Sequence, residues 1–105
     1  MGAVSRKITE DRQLQGEDET VVYTLTTTPW GTSPSSESAK IFEIDGDTYT
    51  DKTSTNMTGA ASAAGDIITL PGIHSLTAGT LYRVEVLFTC SGNTFEAYAE
   101  IQAER

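Results

Sequence analysis

The residues that could carry out acid–base or nucleophilic chemistry are few in this chain. It has one histidine, His74, and one cysteine, Cys90. Ser75 follows His74 directly, but a serine nucleophile and its base need a spatial arrangement with a third, orienting group. We therefore expect His74 to be a loop histidine. Cys90 falls on the inward side of a predicted strand, where a free thiol behaves as a small apolar residue. The sequence predicts that the chain is not an enzyme.

Three acidic residues, Asp45, Asp47 and Asp51, have a spacing that is faintly similar to a calcium-binding loop. An EF-hand loop also needs its glycine and a bidentate glutamate at fixed positions, and these are missing. Asp45 and Asp47 flank Gly46, a combination that favours a solvated hairpin turn. We therefore expect neither a metal nor a cofactor.

The one residue with a candidate binding role is Trp30. It opens a loop of small residues that continues through Thr32, Ser33 and Pro34. Exposed tryptophans on loops anchor many interfaces. A tryptophan near a strand end can instead cap the core of its own domain. We therefore take Trp30, with the loop residues Thr32, Ser33 and Pro34, as a candidate interface, and core capping by Trp30 stays open as the alternative.

The charge balance excludes several classes of partner. Fifteen acidic residues oppose seven basic ones in 105 residues, for a net charge of -8. A surface of this sign repels phosphate backbones and anionic lipids, so we expect neither nucleic acid nor a membrane as a partner. The length corresponds to a single domain.

The N-terminus and the cysteine count indicate where the chain folds. Residues 1–7 lead straight into polar sequence, without the apolar run of a signal peptide. With Cys90 alone, the chain cannot form an internal disulfide, whereas many small secreted domains depend on disulfides. We therefore expect folding in a cytoplasm rather than after secretion.

The C-terminal part of the chain predicts a long β-hairpin. Apolar residues alternate with polar ones over residues 81–90, and the same period of two returns over residues 95–103. This alternation is typical of strands with one buried face. Residues 91–93 (Ser-Gly-Asn) tolerate the positive φ of a tight turn.

Further strands are predicted upstream from β-branched residues and alternation. We expect strands at residues 20–27, 39–45 and 67–70, an edge strand or two short ones in residues 48–58, a loop at 32–38 and little structure at 60–65. We expect residues 1–19 to form a polar N-terminal arm or an edge strand anchored by Ile8 and Leu14, and residues 20–105 to form the domain. About seven short strands with regular turns predict an all-β, immunoglobulin-like antiparallel β-sandwich.

One segment resembles a known structural motif. Leu76, Gly79 and Tyr82, followed by Val86, have the Leu-x-x-Gly-x-x-Tyr-x-x-x-Val spacing of the tyrosine corner in fibronectin type III and related immunoglobulin-like domains. The resemblance implies that Leu76 plugs one end of the core and that Gly79 permits a sharp corner. Tyr82 then buries its ring, and its hydroxyl bonds a backbone group a few residues upstream.

The chain also resembles small virion proteins of tailed bacteriophages, mainly through residues 65–104, with Gly79 and Tyr82 before a closing hairpin. The resemblance implies a non-enzymatic structural protein at the head–tail neck, a fiber–tail adaptor, or a decoration of capsid or tail. Its partners are then phage virion proteins, and it acts as a homo-oligomer in the assembled particle. Residues 1–19 carry no adaptor-specific motif. The alternative is an immunoglobulin-like adhesion or carbohydrate-binding module.

Overall fold

The computed structural model describes residues 12–105, which are mostly strands. In chain order the elements of this part are β1 (Gln13–Gly16), β2 (Thr24–Thr26), β3 (Ser35–Asp45), β4 (Thr48–Asp51), α1 (Thr53–Asn56), β5 (Met57–Thr58), β6 (Ser62–Ala64), β7 (Ile67–Thr69), β8 (Gly72–Ile73), β9 (Leu81–Cys90) and β10 (Asn93–Glu104). No helix in this part of the chain is long and apolar enough to cross a membrane.

The strands form two main sheets and a small ribbon. The larger sheet has the order β1-β10-β9-β3-β4, the smaller has β2-β7-β6, and β5 pairs with β8. Strands β10, β9, β3 and β4 correspond to the GFCC′ sheet of an immunoglobulin domain, and β2, β7 and β6 to its BED sheet. The predicted all-β sandwich is therefore confirmed. The pairing is antiparallel except between β1 and β10, which run parallel.

The long hairpin is confirmed, and it supplies much of the core. Tyr82, Val84, Val86 and Phe88 on β9 are at most 1% exposed. These apolar side chains alternate with outward-facing ones, as a pleated strand requires. The hairpin turns through Ser91 and Gly92, both with positive φ, so the turn is one residue shorter than the predicted 91–93 loop.

The middle of the chain differs from prediction in three places. Strand β3 begins at Ser35, inside the segment expected to be a loop, and pairs there with β9 through an irregular register. Residues 48–58 contain a single helical turn as well as strands, and residues 60–65 contain β6. These segments are polar or alanine-rich and have no apolar alternation. Their strands depend on backbone pairing with neighbouring strands, which the sequence pattern does not show.

Two further details refine the strand predictions. The strand expected at 20–27 is regular only over β2, and Val21 adds an isolated bridge to Ile73. On β3, the sequence has apolar residues on both faces, Ala39 and Ile41 on one and Phe42 and Ile44 on the other. Ile41 is completely buried, and Ala39 packs against the core on the same side. Phe42 and Ile44 therefore face outward.

Residues 1–11, including Ile8, lie outside the described residues. The predicted anchor Leu14 is wrong, because this side chain is 63% exposed. The next residue, Gln15, is the buried one, at 1% exposed. Parallel pairing aligns Leu14 with the outward Gln102 and Gln15 with the buried Ala103, which decides the face that each residue takes.

Gln15 ties β1 into the sandwich. Its amide nitrogen donates to the carbonyl oxygens of Ile73 at 2.7 Å and Glu19 at 3.1 Å, and its amide oxygen accepts from the Tyr23 hydroxyl at 2.8 Å. Burial raises the pKa of Tyr23, and the nearby charge of Glu19 adds to the shift. Strand β1 is therefore an integral edge strand, although the sequence separated it from the domain at residue 20.

Candidate interaction surface

The structure places the single histidine between two hydroxyl groups. His74 Nδ1 lies 2.8 Å from Ser75 Oγ, and His74 Nε2 lies 2.6 Å from Thr58 Oγ1. The buried Asn56 holds this loop by donating to the carbonyl oxygens of both His74 and Ser75. Within residues 12–105 no carboxylate hydrogen-bonds the ring, so the orienting group of a hydrolytic triad is replaced by a neutral hydroxyl.

The cysteine is enclosed in the sandwich. Cys90 is 1% exposed, and burial raises the pKa of its thiol, with a further contribution from the negative charge of Asp66. Gly31 passes so close that a Cβ added there would lie 2.9 Å from Cys90 Cβ. A protonated, enclosed thiol is a poor nucleophile, because the thiolate is the reactive form.

The three aspartates do not gather around a common point. In the part of the chain that the structure describes, no group of three His, Cys, Asp or Glu residues has the arrangement of a metal site. Asp51 accepts a hydrogen bond from the Thr53 backbone N–H at 2.9 Å. The hydrogen bonds from Thr53 lower the pKa of Asp51. Asp45 and Asp47 are exposed on either side of the turn at Gly46, which has a positive φ.

The Leu76–Tyr82 segment has the geometry described for a tyrosine corner. Tyr82 is 1% exposed, and its hydroxyl accepts the Thr77 backbone N–H at 2.8 Å. Leu76 is 4% exposed at the end of the core. Gly79 takes a φ of +85°, which a side chain would disfavour, and its N–H donates to the Ala103 carbonyl oxygen at 2.9 Å. The corner thus connects the segment before β9 to the end of β10.

Trp30 lies against the core at the start of its loop. Its ring packs edge-to-face on Phe88, with centroids 5.8 Å apart, and it is partly buried. Thr32 and Ser33 are exposed, whereas Pro34 is buried. Most of the Trp30 ring is therefore committed to the fold, and the Thr32–Ser33 tip is the part of this candidate interface that faces solvent.

A second surface, which the sequence did not single out, covers the solvent side of the larger sheet. We call it the outer face; its central residues are Phe42, Tyr49, Arg83, Leu87 and Tyr98. Arg83 Cζ lies 3.8 Å from the centroid of the Tyr98 ring and 5.9 Å from that of the Tyr49 ring. Tyr49 is 50% exposed and Leu87 is 43% exposed. The only sequence signal for this surface is that its residues occupy alternate positions of strands whose other positions form the core.

The strand register brings the outer face together. Phe42 on β3 lies opposite Arg83 on β9, and Ile44 lies opposite both Tyr49 on β4 and Leu81 on β9. Because directly opposed residues on neighbouring strands share a face, these side chains form one contiguous surface. A shallow depression of about 140 Å³ adjoins it, between Phe42 and Leu87.

Electrostatics hold Arg83 in place. Its Nε donates to Glu85 Oε2 at 2.8 Å, and its guanidinium lies over the Tyr98 ring. A guanidinium on an aromatic face contributes about 0.5–1 kcal/mol at an exposed site. Aromatic residues and arginine are the residue types enriched at protein interfaces, where rigid anchors contribute most of the binding energy. The outer face is therefore suited to protein binding.

No family model, no curated protein and no solved structure matches this chain.

Proposed function

We propose that the chain is a non-enzymatic structural protein of a tailed-bacteriophage virion, acting by protein–protein binding. Its place is the head–tail neck, a fiber–tail adaptor, or the decoration of capsid or tail. The observations that carry the binding role are the exposure of Tyr49 and Leu87 on the outer face and the guanidinium of Arg83 beside the Tyr49 ring. The resemblance through residues 65–104 supports the virion setting.

The occupant that we propose for the outer face is a basic surface of a neighbouring virion protein. This face carries acidic and basic residues together, among them Asp51, Glu85, Lys40 and Arg83, and Arg12 pairs with Glu100 at 3.7 Å. The net charge of -8 keeps free subunits apart and steers them toward a positively charged partner. Virion symmetry would then array several copies in the particle.

One observation favours the alternative, an adhesion or carbohydrate-binding module. Aromatic rings on the outward face of a sandwich, here the half-exposed Tyr49 and the partly buried Tyr98, can stack on sugar rings. Against this, the guanidinium of Arg83 covers one face of Tyr98 at 3.8 Å from the ring centroid. A sugar would have to displace this cation before it could stack on that face.

The deciding experiment is the protein composition of purified particles of the phage that encodes the chain. We expect the chain at a stoichiometric ratio to a capsid or tail subunit by quantitative mass spectrometry, after gradient purification and a high-salt wash. Its absence from the particles, together with retention of the purified chain on a glycan array, would replace the proposal with the carbohydrate-binding alternative.

A further inference from the structure

Strand β2 forms an edge of the smaller sheet, and one side of its backbone has no partner among residues 12–105. Leu70 N–H donates to the Tyr23 carbonyl oxygen at 2.9 Å, and Thr27 N–H donates to the Asp66 carbonyl oxygen at 2.7 Å. Antiparallel strands alternate the direction of their hydrogen bonds from one residue to the next. The backbone groups of the intervening Thr24 and Thr26 therefore point away from β7, toward the open edge.

An apolar cleft lies directly beside this edge. It has a volume of about 180 Å³ and opens between β2 on one sheet and β1 and β10 on the other. All of its lining side chains are uncharged, and most are aliphatic: Gln13, Tyr23, Thr24, Leu25, Leu70, Ile73, Val84, Ala99 and Ile101. The cleft has room for one branched aliphatic side chain, so the two sheets are incompletely closed on this side.

We propose that the β2 edge and this cleft together accept an extended strand from a neighbouring subunit. The backbone of the added strand pairs with Thr24 and Thr26, as in β-strand addition to an exposed sheet edge. One aliphatic side chain of that strand enters the cleft, and the alternate side chains point to solvent. That the donor is a virion subunit rests on the proposed function, whereas the acceptance of a strand does not.

The charge of the acceptor determines which strand fits best. The cleft is lined mostly by aliphatic side chains, so an apolar side chain fits it best, while the chain as a whole carries a net charge of -8. The alternate, solvent-facing positions of the added strand are therefore best filled by lysine or arginine. An unpaired edge of backbone donors and acceptors favours a polypeptide over a small apolar ligand, which would leave Thr24 and Thr26 unpaired.

A synthetic peptide tests the inference on the full chain. The probe is an acetylated, amidated heptapeptide of alternating lysine and valine, and its control has the same composition with the valines in one block. We expect the alternating peptide to slow hydrogen exchange of the Thr24 and Thr26 amides, measured by NMR, with a much smaller effect from the control. If both amides are already protected without peptide, the edge is occupied by the chain itself, and the inference is wrong.

Three variants test whether peptide binding depends on strand pairing at β2 and on the cleft, rather than on charge attraction alone. Thr24→Pro removes the outward N–H without touching the bonds to β7, and should abolish the protection of Thr26 by the peptide. Thr24→Val keeps the N–H and should bind like the parent chain. Ala99→Leu fills the cleft from β10 and should weaken binding about tenfold, because the aliphatic side chain of the peptide can no longer be buried there. Undiminished binding to Thr24→Pro and Ala99→Leu would overturn the inference.

The two proposals fail separately. A chain that is present in particles but does not bind the alternating peptide contradicts the strand-acceptor site and leaves the virion role standing. A chain that binds the peptide but is absent from particles contradicts the virion role alone.

Discussion

The two faces of the larger sheet are built from the same strands, but one face forms the core and the other faces solvent. On β9, the inward residues from Tyr82 to Phe88 are at most 1% exposed, while the intervening Arg83 and Leu87 face solvent. The inner face is filled by aliphatic and aromatic packing against β2 and β7. The outer face has aromatic rings and an arginine that donates a hydrogen bond to Glu85, and Tyr49 and Leu87 on this face are 50% and 43% exposed. The difference teaches that alternate residues of one strand can specify the fold and a binding surface independently.

The largest expected effect is on the inner face, at Phe88. Phe88→Ala should lower the free energy of unfolding by about 3–5 kcal/mol, because it leaves a cavity under Trp30 and Phe95. Urea denaturation measures the change. The matched control is Leu87→Ala on the outer face, which should stay within about 0.5 kcal/mol of the parent chain. Similar losses in the two variants would erase the distinction between the faces.

A smaller loss is expected at the edge strand β1. Gln15→Ala removes the partner of the Tyr23 hydroxyl and of the Ile73 carbonyl oxygen, and should cost about 2 kcal/mol. Leu14→Ala, at the neighbouring exposed position, is the control and should be nearly neutral. A larger loss for Leu14→Ala in urea denaturation would restore the sequence-based assignment of Leu14 as the anchor.

The tyrosine corner should contribute less. Tyr82→Phe keeps the buried ring and removes only the acceptor of the Thr77 N–H, so the expected cost is about 1 kcal/mol. Tyr49→Phe on the outer face, where the side chain is 50% exposed, serves as the control, with little expected change in the denaturation midpoint. An unchanged midpoint for Tyr82→Phe would show that the corner hydrogen bond does not stabilise the fold.

The smallest expected effect is a pH dependence at Asp51. Its pKa is lowered in the folded chain, chiefly by hydrogen bonds from Thr53, so its stabilising contribution is present above the ordinary value of 3.8. That contribution is lost as the pH falls below 3.8 through the folded-state pKa. Asp51→Asn should therefore flatten the decline of stability between about pH 5 and pH 2. Denaturation midpoints across this range measure it, and Asp47→Asn is the control. Identical profiles for the two variants would exclude the effect.

Sequence periodicity was enough to predict the inner face of the larger sheet, but not the packing of β1 or the helical turn α1. The hairpin of β9 and β10 was predictable because alternation of apolar and polar residues directly encodes burial. Leu14 and Gln15 could not be told apart, because the pairing of β1 with β10 decides which one is buried. The single turn Thr53–Asn56 could not be predicted either, because Asn56 is fixed by the distant carbonyl oxygens of His74 and Ser75.

The outer face could not be predicted from the sequence for a similar reason. Tyr49, Arg83 and Tyr98 are far apart in the sequence, and only the strand order β10-β9-β3-β4 brings them together. Trp30 was a candidate because it is a tryptophan in a loop of small residues, yet much of its ring packs on Phe88. A residue's type can indicate that it binds something, but the register decides whether that is a partner or its own core.

The proposal that the outer face joins the chain to a virion protein is tested most directly by competitive incorporation. The parent chain and an Arg83→Ala, Tyr98→Ala double variant are co-expressed during phage growth, and their ratio in purified particles is measured by mass spectrometry. We expect the variant to be depleted about tenfold or more, as for an interface hot spot, although it stays folded after losing the Arg83–Tyr98 contact, which contributes about 0.5–1 kcal/mol. A Thr32→Ala, Ser33→Ala variant of the Trp30 loop should enter at the parent ratio. Full incorporation of the Arg83→Ala, Tyr98→Ala variant would contradict the account.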